Sequence, residues 1–163
     1  MAEVLEIKKD AQLSEQYELL IRQLKSLLSK EERLITNLSN LTAALKQTFD
    51  KISWVGFYLF DGEILYLGPF QGKVACTTIK LGTGVCGTAA EKGETIIVPD
   101  VNKFPGHIFC DPDSKSEIVV PMFKNKKLIG VLDVDSDSFN SFDETDKKYL
   151  EEIVKFLTEE IIN

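Results

Sequence analysis

Cys76, Cys86 and Cys110 are the chain's three cysteines, and His107 is its only histidine. A thiol becomes a nucleophile or a metal ligand only as thiolate, so its surroundings decide what it can do. By local pattern Cys76 falls on a strand, Cys86 at the start of a helix and Cys110 in a polar loop. A helix amino terminus can lower the pKa of Cys86. The loop leaves Cys110 accessible, although the adjacent Asp111 disfavours its anion. These settings rank neither thiol above the other, and any one cysteine taken singly reads equally well as a small buried hydrophobe.

A second set of candidates is acidic. In "LIGVLDVDSDS", Asp133 and Asp135 occupy alternate positions, so a strand turns both to one face while Leu132 and Val134 point into a core. Neighbouring carboxylates repel, and one of them can then keep its proton near neutral pH. Glu117, at the head of "EIVVP", joins the pair if the two long strands lie side by side. Read alone, the same residues are an ordinary wet strand end.

Trp54 and Tyr58 share strand parity with Gly56 between them, which suggests either core packing or a pocket wall with an open space between the rings. His107 stands three positions before Cys110, so a Cys-His pair or a zinc site of three cysteines and one histidine is conceivable. No C-x-x-C knuckle is present, and no metal is expected. Gly82, Gly84 and Gly87 have the spacing of a dinucleotide fingerprint without its βαβ context, and read as a turn into a helix.

The elements that must carry these groups are legible from periodicity. Apolar residues from Leu13 to Leu28 form one helical stripe. A second helix, expected to open on a Ser29/Glu32 capping box, continues through Leu34, Leu38, Leu41, Leu45 and Phe49. "ISWVGFYLF" and "EILYLGPF", joined by "DG", read as a hairpin, followed by a strand at "VACTTIKL", a short helix at "GTGVCGTAAEKGE" and a brief extended "TIIVP". A loop rich in Pro, Gly, Asp and Asn spans "DVNKFPGHIFCDPDSK", and "SEIVVPMF" and "KLIGVLDVDS" are two long strands joined by a polar turn. A last helix begins near Ser141 and Glu144, a second expected capping box. Helices flanking hairpin-connected strands, with no βαβ alternation, argue for an α+β fold with an antiparallel sheet.

Composition narrows the partners. The formal charge of -7 and the lack of a basic stripe argue against nucleic acid. At 44% hydrophobic and 28% charged residues the chain is of the globular class, and no apolar run approaches transmembrane length. The first residues, "MAEVLEIKKDAQ", do not read as a secretory signal, so a cytoplasmic location is expected, with free or transiently redox-active thiols. No linker or repeat divides residues 1–163, and one domain is expected.

Taken together, "SWVGFYLF", "GPFQGKVAC", "GTGVCGTAA", "HIFCD", "SEIVVP" and "GVLDVDS" closely resemble the free methionine-(R)-sulfoxide reductases, which are built on a GAF domain. The resemblance runs from about Lys51 to Phe142 and includes the three cysteines at separations of ten and twenty-four residues. It implies a six-stranded antiparallel sheet over residues 51–142, with N-terminal helices in 1–50 and a C-terminal helix in 143–163. It also implies that Cys110 attacks the sulfoxide sulfur and becomes a sulfenic acid, with Cys76 the usual recycling thiol and Cys86 the second. Trp54 and Tyr58 match the aromatic wall, and Glu117, Asp133 and Asp135 the pocket acids, with Glu117 and Asp135 candidates for proton donation. The expected substrate is free methionine (R)-sulfoxide, the expected reductant a thioredoxin-like dithiol, and no cofactor is implied. Exposed helical stripes leave a homodimer open. The alternative is a non-catalytic GAF module that senses a small molecule, sharing the fold and the "VVP" strand.

Overall fold

The computed structural model describes residues 4–106 and 111–162, so His107 and Cys110 lie outside the described residues. Two amphipathic helices open the chain, α1 (Leu13–Leu27) and α2 (Leu34–Thr48). The strands are β1 (Trp54–Phe60), β2 (Ile64–Gln71), β3 (Thr78–Lys80), β4 (Ile96–Val98), β5 (Ser116–Lys124) and β6 (Lys127–Ser136). Helix α3 (Gly84–Lys92) lies between β3 and β4, and α4 (Glu144–Phe156) closes the fold with a π-helical turn at Leu157–Ile161.

All six strands form one sheet in the order β3-β2-β1-β6-β5-β4, and every neighbouring pair is antiparallel. This is the expected α+β architecture. The two longest strands, β5 and β6, turn through Asn125 and Lys126, whose φ values of 50° and 64° belong to a tight hairpin turn that follows the natural strand twist.

Strand alternation divides the interior into two layers. Val55, Phe57, Ile118, Val120, Leu132 and Val134 face α1, α2 and α4 in the larger cluster. Trp54, Tyr58, Val119 and Val131 face the other way, where α3 covers them with Val85, Cys86 and Ala89. The sheet is thus buried on both faces at its centre, and acids on the α3 side are shut away from water.

The helical layer is tied to the sheet by a buried polar knot. Asp146 accepts from Tyr17 Oη at 2.7 Å and, through both carboxylate oxygens, from Lys51 Nζ at 2.7 Å. The same carboxylate accepts from the Asp143 backbone N–H at 3.0 Å, which makes the capping box of α4.

Three local expectations differ from what forms. Helix α2 begins after Arg33, not on a Ser29/Glu32 box. Asn37 explains this, because its side chain accepts from Ser29 N at 3.1 Å and donates to Ser29 O at 2.8 Å, holding Ser29 outside the helix. Helix α4 is capped by Asp143 with Asp146 rather than by Ser141 with Glu144, since the Ser141 hydroxyl is engaged with Ser136 and Ser138. Cys76 precedes β3 instead of lying on a strand, because β3 pairs with β2 only over Thr78–Lys80.

Removing the carboxylate of Asp146 strands Lys51 and the Tyr17 hydroxyl and uncaps α4. Asp146→Ala is expected to lower the unfolding free energy by about 3 kcal/mol in a urea titration.

Candidate active site

Strand register brings the acids together. Across β1 and β6, Trp54 pairs with Asp135 and Gly56 with Asp133; across β6 and β5, Asp135 pairs with Glu117 and Asp133 with Val119. Side chains that share a pleat face stack beside one another. Glu117, Asp133 and Asp135 therefore project from two adjacent strands toward α3, while Leu132 and Val134 enter the helical core. The parity inferred from "DVD" is what the sheet uses.

Helix α3 presents Cys86 to this acid cluster. Its Sγ donates to Glu117 Oε1 at 3.9 Å, and Cys86, Glu117 and Asp133 each offer a ligating atom within 4.8 Å of the others. Asp135 Oδ1 accepts from Ser114 Oγ at 2.5 Å. Asp133 Oδ1 is buried and finds no hydrogen-bond partner among the described residues. The approach of α3 to the sheet depends on Gly87, where a Cβ would lie 2.2 Å from the Lys80 carbonyl oxygen.

Burial dominates the electrostatics. Loss of water raises the Glu117 pKa, and Asp135 adds to it; burial and then Glu117 raise that of Asp133; burial and then Asp133 raise that of Asp135. Carboxyls in such a group hold protons well above the usual range. The Cys86 thiol is also pushed up, first by burial and then by Asp133 and Glu117. A helix amino terminus, worth about 0.3–1 kcal/mol at an exposed site, does not offset this, so the expected lowering at Cys86 is reversed.

The aromatic wall does double duty. Trp54 Nε1 donates to Lys73 O and Tyr58 Oη to Cys76 O, both at 3.0 Å, so the two rings hold the segment that carries Cys76. Cys76 is disulfide-bonded, whereas Cys86 is a free, buried thiol. Trp54 packs against Tyr58 with centroids 6.1 Å apart and against Phe70 at 5.5 Å. Gly56 does not leave the expected gap between the rings. The indole fills it, and a Cβ on Gly56 would lie 2.4 Å from Trp54 Cη2.

Two small cavities meet at the acids. One, of about 30 Å³, touches Cys86, Glu117 and Ser114; the other, of about 20 Å³, touches Trp54, Tyr58 and Ala75; Asp111, Asp133 and Asp135 border both. Larger clefts of about 520 to 660 Å³ lie elsewhere, and no described cysteine lines them.

The structure thus brings together Trp54, Tyr58, Cys86, Glu117, Asp133 and Asp135, with Cys76 tethered at the rim. Sequence reasoning passed over Ser114 and Lys73, and weighed Asp111 only as the neighbour of Cys110. Lys73 pairs with Asp113 and, at 3.5 Å, with Asp111, joining the Cys76 segment to the loop before β5. The serine three residues before Glu117 in "DSKSE" was the available signal for Ser114.

A GAF domain model matches residues 33–161. A free methionine-R-sulfoxide reductase from Saccharomyces cerevisiae is 48% identical over 136 residues, covering 78% of this chain and 76% of the relative. The chain belongs to the GAF-domain family and, within it, to the free methionine-R-sulfoxide reductases. GAF domain-containing protein A of Dictyostelium discoideum is 59% identical over 158 residues, 96% of this chain and 99% of that one. Among solved structures, a free methionine-R-sulfoxide reductase from Neisseria meningitidis in complex with its substrate superposes with a TM-score of 0.89 at 43% identity, covering 95% of this chain and 93% of that one.

Two consequences of this GAF-domain geometry are measurable. Because the folded pKa of Asp133 is raised, its contribution to stability is fully present below the unfolded value of about 4 and is lost as pH rises through the folded pKa. Asp133→Asn imitates the protonated form, so it should be more stable than the parent at pH 8 by at least about 1 kcal/mol, with the advantage vanishing near pH 4. Gly56→Ala must displace Trp54, the single tryptophan, and should shift its fluorescence emission to the red as the indole is forced outward.

Proposed function

We infer that the protein reduces free L-methionine (R)-sulfoxide to methionine, with Cys110 as nucleophile and Cys76 as the thiol that recycles it. The observation that carries this reading is a cluster of two buried carboxyls, Glu117 and Asp133, and the half-buried Asp135, all with raised pKa values, between an aromatic wall and a thiol-bearing helix. A sulfoxide oxygen leaves only when protonated, and an acid that keeps its proton at neutral pH supplies that need.

In the proposed sequence the Cys110 thiolate attacks the sulfoxide sulfur while Glu117 or Asp135 protonates the oxygen. The protonated oxygen passes from the methionine sulfur to the Cys110 sulfur as the bond between the two sulfurs breaks, so methionine leaves and Cys110 is left as a sulfenic acid. The Cys76 thiol then attacks that sulfur, forming a disulfide and releasing water. A thioredoxin-like dithiol reduces the disulfide and is itself oxidised, so the sum is sulfoxide plus dithiol giving methionine, disulfide and water. The disulfide state of Cys76 supports a redox role for that thiol, whereas burial and a raised pKa leave the free Cys86 less reactive.

Trp54 and Tyr58 would discriminate the methyl group and the sulfoxide epimer, while the remaining acids would hold the ammonium group. A peptide-bound methionine sulfoxide lacks that cation and would leave buried acids unpaired, which favours the free amino acid. The two cavities bordered by Asp111, Asp133 and Asp135 must merge to admit it. No described helix is long and apolar enough to cross a membrane, and we place the activity in the cytoplasm, where thioredoxin operates without a metal or organic cofactor.

Single turnover tests the assignment. Reduced protein mixed with free L-methionine (R)-sulfoxide should release about one methionine per subunit, and Cys76→Ser should do the same, by the separation of attack from recycling. Cys110→Ser should release none. Full activity in Cys110→Ser would overturn the nucleophile, and binding without turnover by the parent protein would make it a GAF sensor.

A further inference from the structure

Asp133 Oδ1 is a buried carboxylate oxygen without a hydrogen-bond partner among the described residues, on a side chain only 6% exposed. Leaving such an acceptor unsatisfied costs about 1–3 kcal/mol, so a native fold that keeps one invites an occupant. No described ion pair involves Asp133 or Asp135. Asp133 borders the cavity of about 30 Å³, which has room for a water-sized guest.

The donors around that cavity are chemically selective. Cys86 contributes sulfur from α3, Glu117 an oxygen from β5 and Asp133 an oxygen from β6, and these atoms lie within 4.8 Å of one another. Bonds of about 2.3 Å to sulfur and 2.0–2.2 Å to oxygen in a tetrahedron put ligand atoms roughly 3.3–3.7 Å apart. The Cys86 Sγ to Glu117 Oε1 distance of 3.9 Å is close to that edge length. Calcium takes six to eight oxygens and magnesium keeps several waters, neither of which suits an enclosed site with one thiol. A borderline-soft cation accepts one sulfur and two oxygens, with a fourth position for Asp135 or water.

We propose that Cys86, Glu117 and Asp133 form a binding site for a divalent cation of the Zn²⁺ class, and that its occupation excludes the sulfoxide substrate. The cation would enter as an inhibitor, not as a resident cofactor. This ligand set differs from the three-cysteine-one-histidine site considered from sequence, and needs neither His107 nor Cys110. The binding claim is independent of the reductase reading; the inhibition claim rests on it.

The test uses Co²⁺ as a spectroscopic substitute for Zn²⁺. In Cys76→Ser/Cys110→Ser, Cys86 is the chain's remaining cysteine. Co²⁺ should then produce a thiolate-to-cobalt charge-transfer band at one equivalent, displaced by Zn²⁺ and absent when Cys86→Ser is added. Asp133→Asn in the same background should weaken Co²⁺ binding at least tenfold. No band, or a band unchanged in the triple variant, overturns the site. If the double variant does not fold, the parent protein with its Cys76 disulfide intact is used instead: Zn²⁺ should slow alkylation of Cys86, and an unchanged rate overturns the site. Inhibition is read in a reductant-free first turnover, because dithiols chelate zinc. There Zn²⁺ should raise the half-saturating substrate concentration at least tenfold without changing the limiting rate, and no change overturns the inhibition claim. A cobalt band in a protein that never reduces the sulfoxide retains the metal site and rejects the reductase. Turnover without a band does the reverse.

Discussion

Three carboxyl groups within reach of one another, Glu117 and Asp133 taken out of water and Asp135 half-buried, are the constraint around which the molecule is organised. Ionising any of them in place works against both desolvation and its neighbours, so the group is stable near neutrality only while it shares protons or holds a cation. A fold tolerates that condition when the surrounding packing is strong enough to carry it. Here the acids stand on the central strands of a sheet whose opposite face is covered by three helices.

That arrangement separates stability from chemistry by the pleat of the strand. In β6, Leu132 and Val134 enter the helical core while Asp133 and Asp135 face α3. Each step along the strand alternates between cohesion and reactivity, and a slip of one residue would exchange them. The long β5–β6 hairpin holds this register, and the Asp146 knot fixes the helices behind it. The site is therefore built on rigid elements, while Cys76 hangs on a segment tethered by Trp54 and Tyr58. In the proposed chemistry such a mount would suit a relay thiol, since thiol exchange requires one sulfur to approach another.

A GAF fold alone does not distinguish a sensor from a reductase, because function resides in the site carried by the scaffold. What distinguishes this chain is the meeting of protonatable acids, aromatic rings and thiols on one sheet face. The same donors that suit a proton-transfer site also suit a thiophilic cation. If both proposed uses hold, the site would be sensitive to its ionic surroundings.

Much of this was legible in the chain itself. Period-two alternation assigned Asp133 and Asp135 to one face, and helical periodicity located α1 and α4, because these patterns follow directly from backbone geometry. The cysteine spacing with the aromatic and acidic motifs pointed to the family. Tertiary structure decided what depends on distant partners. Burial reversed the expected acidity of Cys86, the Trp54 indole filled the space beside Gly56, Asn37 moved the start of α2, and Ser114 reached Asp135. A local sequence specifies which way a side chain points, but its solvation and its neighbours are set by whatever the rest of the chain packs against it.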